Sequence, residues 1–258
     1  MGFSSNIEGE YNGNYGDEKV TSSAKIENLP LGIRMRLSDG RIFRHARSGG
    51  TTLAVGQVVM QAAEADTANW QGLAVAAAVA ASAQAISLII GGTAIVANQY
   101  ADGYLYVNLS AGVGSVYKIK SHSSGAAAAT IAFTLADGDI VRVAAVAASS
   151  KAGLRENEYA KTLLRPTGTA FTGINVGIPP VAVTASYYYW AQRRGIATAK
   201  AAATTITIGE KVSCDTATAG SVTIAAIVAA TACQYNIIGT AVNTGAASTY
   251  VLVYLELE

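Results

Sequence analysis

The sequence predicts a mainly β protein, made of β-barrel or β-sandwich-like domains built of hairpins, with an extended N-terminal arm and little helix. Period-two alternation is the first observation behind this. Tyr104–Leu109 sets Leu105, Val107 and Leu109 against Tyr104, Tyr106 and Asn108. The closing segment sets Val251, Val253, Leu255 and Leu257 against Tyr250, Leu252, Tyr254 and Glu256. Successive strand side chains point to opposite faces, so runs of this kind bounded by turn residues read as half-buried strands. The second observation is texture: from Leu29 onward, short β-branched runs are broken by Gly, Asn and Asp. The third is the scarcity of helical periodicity, with only Ala62–Ala68 and Lys151–Leu164 reading as helical turns.

The elements follow in chain order. Residues 1–28 are polar and carry almost nothing to bury, so they read as an extended or disordered arm that orders against a neighbour. Arg34–Arg47 reads as two strands joined by Ser38-Asp39-Gly40. Leu73–Gly91 averages roughly +2 in hydropathy, which is in the transmembrane range. Much of that signal is alanine, however, and Ser82, Gln84 and Ser87 interrupt it before it ends in Gly91-Gly92. No Lys or Arg lies between Arg47 and Lys118 to anchor a span, so no membrane segment is expected, and the N-terminus reads as no signal peptide. A weak repeat links Ala85–Gly91, Thr130–Gly138 and Thr205–Gly209, each followed by another apolar run, which predicts strand, glycine turn, strand. The turn residues at Arg165-Pro166-Thr167-Gly168 place a boundary between a first β domain, 29–165, and a second, 166–258.

Composition narrows the function classes. The 258 residues hold 18 basic and 17 acidic side chains, a net charge of +1, and only 14% charged residues. Soluble domains average about 25% charge, so this surface is solvated by Ser, Thr, Asn and Gly or covered by partners. The balanced charge argues against a general nucleic-acid binder, which needs a basic excess to neutralise phosphates. Fifty alanines, 26 glycines and four prolines leave a high apolar fraction, which argues against extensive disorder. Two cysteines, Cys214 and Cys233, make neither a disulfide framework nor a zinc site, and whether they pair is open.

The candidate chemistry is thin. Arg34, Arg36, Arg41, Arg44 and Arg47 share 14 residues with one acid, Asp39. Guanidinium groups grip carboxylates in bidentate fashion and keep their charge when half buried, which makes this segment a candidate contact with an acidic surface. The alternative is a solvated pair of strands. Tyr187, Tyr188, Tyr189 and Trp190 form the densest aromatic run, with one alternate pair expected in the core and the other at a subunit interface. Ala111–Ser115 lacks the Gly-Lys-Ser/Thr of a phosphate loop and reads as a hairpin turn. Val116, Lys118, Lys120 and His122 share one face of a predicted strand, and His45 sits among the arginines. Asp137 and Asp139 would need more oxygen ligands to hold calcium. No catalytic, cofactor or metal constellation emerges, so no enzyme is expected.

The C-terminal order of motifs carries a resemblance. Tyr188-Tyr189-Trp190-Ala191-Gln192-Arg193-Arg194-Gly195-Ile196-Ala197 is followed by Ile208–Val212, Ala219-Gly220, Ile237–Val242 and Val251–Leu255. This resembles the ending of head decoration (cement) and related capsid-associated proteins of tailed bacteriophages. Asp39–Arg44 and Asn98–Tyr104 are also similar to phage head proteins. The resemblance implies a small β domain in the virion, on the head surface, that binds the major capsid protein. It also implies self-association, with a trimer favoured, and no role for nucleic acid, membrane or cofactor. Decoration proteins are often about half this length, which leaves either two decoration-like domains or another structural role. A phage tail or receptor-binding β protein is the alternative.

Overall fold

The computed structural model describes residues 10–26, 29–64, 66–168, 173–225 and 237–258. The fold is mainly β, and helix among the described residues consists of two 3-10 turns, Asp17–Lys19 and Thr67–Asn69. The chain divides into two compact units, one discontinuous (1–63 with 158–258) and one inserted within it (64–157). Strands β1 (Glu10–Asn12), β2 (Arg34–Arg36), β3 (Ile42–Arg47) and β4 (Val59–Gln61) precede the inserted unit. The insert holds β5 (Leu73–Val75), β6 (Ala85–Ile89), β7 (Tyr104–Leu109), β8 (Val116–His122), β9 (Thr130–Leu135) and β10 (Lys151–Arg155). The outer unit resumes with β11 (Thr162–Leu164), β12 (Asn175–Gly177), β13 (Tyr188–Lys200), β14 (Lys211–Cys214), β15 (Val222–Ile224), β16 (Ile237–Ala241) and β17 (Tyr250–Glu256).

This division departs from the boundary expected at Arg165. The reason is pairing: β3 runs antiparallel to β13, so both ends of the chain share one sheet. Arg165 is itself buried, and its guanidinium donates to the Pro166, Gly168 and Asp215 carbonyls. The expected free arm also differs over its described residues. β1 pairs in parallel with β2, and Tyr11 stacks on Trp190 with ring centroids 5.9 Å apart. Residues 1–9 and 27–28 lie outside the described residues. The helix expected within Lys151–Leu164 is instead two strands, β10 and β11, because each finds a ladder partner far away in sequence.

The inserted unit is a closed barrel, ordered β10-β5-β6-β9-β8-β7. Its interior is apolar, with Ile86, Leu88, Leu105, Ile119, Phe133 and Leu154 at 1% exposure or less. Leu105 and Val107 point inward as the alternation requires, while Leu109, at the strand end, is exposed. The repeat at Ala85 and Thr130 corresponds to β6 and β9, but these pair with each other instead of forming hairpins with the runs that follow them. The third copy is no strand; Ile206 makes an isolated bridge. Ala111–Ser115 is the expected turn, between antiparallel β7 and β8.

The outer unit holds an eight-stranded sheet, β1-β2-β3-β13-β17-β16-β14-β15, and a three-stranded sheet, β11-β4-β12. Ala46, Tyr189 and Ala191 of the large sheet share a core with Val59 and Val176 of the small one. The thirteen-residue β13 is the spine, pairing first with β3 and then with β17. The changeover is a register shift between Gln192 and Arg194, next to Gly195 at φ 86°. That left-handed conformation favours glycine. Beyond it, Ala197 and Ala199 point inward, and their small side chains let the core close tightly against Val251 and Val253.

A second repeat is visible only in three dimensions. Four pairs of residues, Leu53–Val183, Ile206–Gly245, Val79–Ala145 and Ile95–Gly125, form isolated antiparallel bridges. Each bridge exchanges both backbone hydrogen bonds at 2.9–3.0 Å. Three residues after every bridge residue the chain turns through a left-handed position: Gly56, Ser82, Asn98, Ala128, Ala148, Ser186, Gly209 and Ser248, with φ from 58° to 85°. Each of these eight N–H groups donates to a carbonyl on the partner's approach, as Ala148 does to Val75 and Gly209 to Ala241. The same backbone corner thus recurs four times in each unit, as two bridged pairs.

Candidate interaction surface

The arginine segment lies on β2, β3 and the turn between them, where Leu37 and Arg41 close a backbone bond over Gly40. Met35 and Phe43 point into the core, so Arg34, Arg36 and Arg44 project from the opposite face of the sheet. Arg34 and Arg44 are directly opposite in register, a like-charge pair that would repel. Glu258 resolves the conflict. It accepts from Arg44 Nε at 3.0 Å and sits 3.5 Å from Arg34 Nε, which is equally close to Glu10. Arg44 also donates to the Gly32 carbonyl. Arg47 donates to the Ser186 carbonyl and lies over the Tyr188 ring. Arg41 is held by Asp39 at 2.7 Å and by Glu18 at 3.9 Å. The five arginines expected to act together are therefore unequal, since four are engaged by their own chain. Arg36 alone of the five is exposed and makes no ion pair among the described residues.

Sequence reasoning did not place Arg194 here. It lies on β13, exposed and without an ion pair among the described residues, and it pairs in register with the same residue, Ile42, that faces Arg36. A cavity of about 630 Å³ opens at this point, lined by Arg34, Arg36, Arg41, Arg194, Ile196 and Tyr254, among others. The outward half of the β13 and β17 alternation was the available signal, but nothing local brings β13 beside β3.

The aromatic run does not leave one face free for a neighbour. Tyr189 and Trp190 are both buried, on opposite faces of β13, and Tyr187 and Tyr188 are half-buried. Tyr189 shares a hydrogen bond with Thr162 at 2.8 Å. Trp190 packs against Tyr11 and His45. Both faces are covered because the small sheet lies on one side, and β1 with its flanking residues lies on the other.

His122 departs from the face shared by Val116, Lys118 and Lys120. A register shift between Ile119 and Ser121 reverses the alternation and turns the imidazole inward. Its Nε2 accepts from the Tyr100 N–H at 3.0 Å while Nδ1 donates to the Ser123 carbonyl at 2.8 Å. Burial lowers its pKa from the usual 6.5. Asp137 pairs with Lys120, and Asp139 accepts from the Lys118 N–H. Cys214 is buried, its thiol pushed up to about 11 by desolvation, and Asn175 donates to its sulfur. Cys233 lies outside the described residues. Among the described residues, no group of three or more His, Cys, Asp or Glu is placed to hold a metal, and no helix is long and apolar enough to cross a membrane.

A second exposed feature belongs to the inserted unit. Leu109, Val113, Val116, Val143 and Val146 are all about half exposed or more. Ser150 ties their loops together, accepting from the Val146 N–H and donating to the Ala111 carbonyl. No family model matches this chain, and neither a curated protein nor a solved structure does.

Proposed function

We propose that the chain is a virion structural protein, a decoration (cement) protein that binds the outer surface of a phage head and stabilises it by adding contacts between major capsid subunits. One observation carries the reading. Four of the C-terminal segments that carry the phage resemblance include β13, β14, β16 and β17, and these strands are contiguous in one sheet whose outer face presents the arginines. A protein working in this way needs accessible, directional contact groups and no reacting centre. The exposed Arg36 and Arg194 supply the first, and the apolar loop cluster of the inserted unit offers a further surface for burial against a neighbour. Sparse charge suits a molecule whose surface is partly covered in the assembly. Self-association as a trimer belongs to the same proposal.

Electron microscopy of expanded phage shells mixed with the purified protein tests it. Regular density on the outer face, at capsomer centres or local threefold positions, is the expected result. Binding confined to tails overturns the reading.

A further inference from the structure

We propose that the cavity beside the β2–β3 turn is a carboxylate-binding site, in which Arg36 and Arg194 seat an acidic side chain of a partner polypeptide. The partner is taken from the function proposed above, but the site itself stands on its own geometry. Arg36 on β2 and Arg194 on β13 flank the central strand β3 at Ile42. Neighbouring strands are about 4.8 Å apart, so the two arginine backbones are separated by roughly 10 Å, a span that two arginine side chains can reach across, and both line the cavity. Ile42 is buried beneath, and Ile196 and Tyr254 wall the cavity. Gly195 keeps the approach open, since a side chain there would meet the Arg41 stem at 3.0 Å. The cavity's volume is in the range that takes a side chain with its flanking backbone.

The division of labour among the arginines is what points to a ligand. Arg34 and Arg41 already have acidic partners within the chain, and Arg36 and Arg194 have none among the described residues. Glu256 faces Arg194 in register, yet its carboxylate is bonded to Lys211 at 2.8 Å. A discrete carboxylate fits this arrangement, because guanidinium groups bind it in planar, bidentate geometry. A nucleic-acid backbone fits poorly. Its repeated phosphates would run into Asp39, Glu10, Glu256 and Glu258, the acids that ring the same arginines.

Calorimetric titration of the full chain with a short peptide carrying two glutamates between neutral residues tests the site. The matching glutamine peptide, inorganic phosphate and a six-nucleotide single strand serve as competitors. The glutamate peptide should bind in a salt-sensitive manner, and Arg36→Gln and Arg194→Gln should each weaken it at least tenfold without changing the melting temperature. Lys120→Gln, in the inserted unit, should leave binding unchanged. Equal binding of the glutamine peptide, tighter binding of phosphate or the oligonucleotide, or full binding by the double arginine variant overturns the site. Shell decoration, measured in parallel, separates the two proposals. Peptide binding lost in the variants supports the site whether or not the wild-type chain decorates shells. Decoration by wild type with no peptide binding refutes the site and leaves the cement reading standing.

Discussion

The eight left-handed corners make an opposed pair of predictions at positions that touch little else. Ala128 and Ala148 hold φ of 60° and 58°, while Gly209 fills the equivalent place at 85°. A left-handed α conformation costs an L-residue roughly 1–2 kcal/mol, and glycine gives back about 0.5–1 kcal/mol through its freer unfolded chain. Ala128→Gly and Ala148→Gly should therefore each stabilise the inserted unit by about 0.5–1 kcal/mol. Gly209→Ala should lose a similar amount in the outer unit. No atom lies within 4 Å of a Cβ built at Gly209, so that cost is purely conformational. Gly239→Ala is the steric contrast. Its methyl would collide with the Tyr254 carbonyl oxygen across the ladder, and the loss should exceed that at Gly209. Urea unfolding followed by circular dichroism reads all four. With a slope of about 1–3 kcal/mol/M, the alanine-to-glycine midpoints should rise by a few tenths molar. If both alanine-to-glycine variants fall in stability while Gly209→Ala is neutral, the corners are not strained and their shared geometry is not what selects small residues there.

Two further outcomes test the interior. His122 can accept the Tyr100 N–H only while neutral, and burial lowers its pKa in the fold. The unfolded state therefore binds the proton first, and stability of the inserted unit should fall as pH drops below about 6.5. In His122→Gln that component of the slope should disappear, as measured by urea midpoints between pH 7.5 and 5. At Arg165, replacement by Met removes a buried guanidinium that donates to the Pro166, Gly168 and Asp215 carbonyls. Thermal melting should show a loss of about 1.5–3 kcal/mol, the range for hydrogen bonds made by a charged group, and Arg165→Lys should recover only part, since one ammonium cannot reproduce the planar fork.

Local signals in the chain were reliable where the structure responds to local rules. Alternation in Tyr104–Leu109 and Tyr250–Glu256 reads directly as β7 and β17, with Val251, Val253 and Leu255 inward. It failed at His122 because one residue of register shift moves a side chain to the other face. It failed over Lys151–Leu164 because a short segment with helical spacing is recruited into ladders whose partners lie elsewhere. The arginine segment was legible as a basic run, yet its ranking was not. Glu258 engages Arg34 and Arg44 from more than 200 residues away, and Arg194, the second arm of the cavity, comes from a strand placed by long-range pairing.

By itself, then, the sequence determined a β protein with short strands, small inward side chains, tight turns and one arginine-rich segment, because each of these depends on residue type and near neighbours. The tertiary structure alone decided that a closed barrel is inserted, in chain order, between the two segments of a second unit, that Trp190 and Tyr189 are buried, and that one left-handed corner recurs. It also decided that Arg36 and Arg194 line one cavity without an acidic partner among the described residues. Those outcomes depend on which strands meet, and strand pairing is settled by burying apolar faces across the whole chain, not by any pattern within one segment.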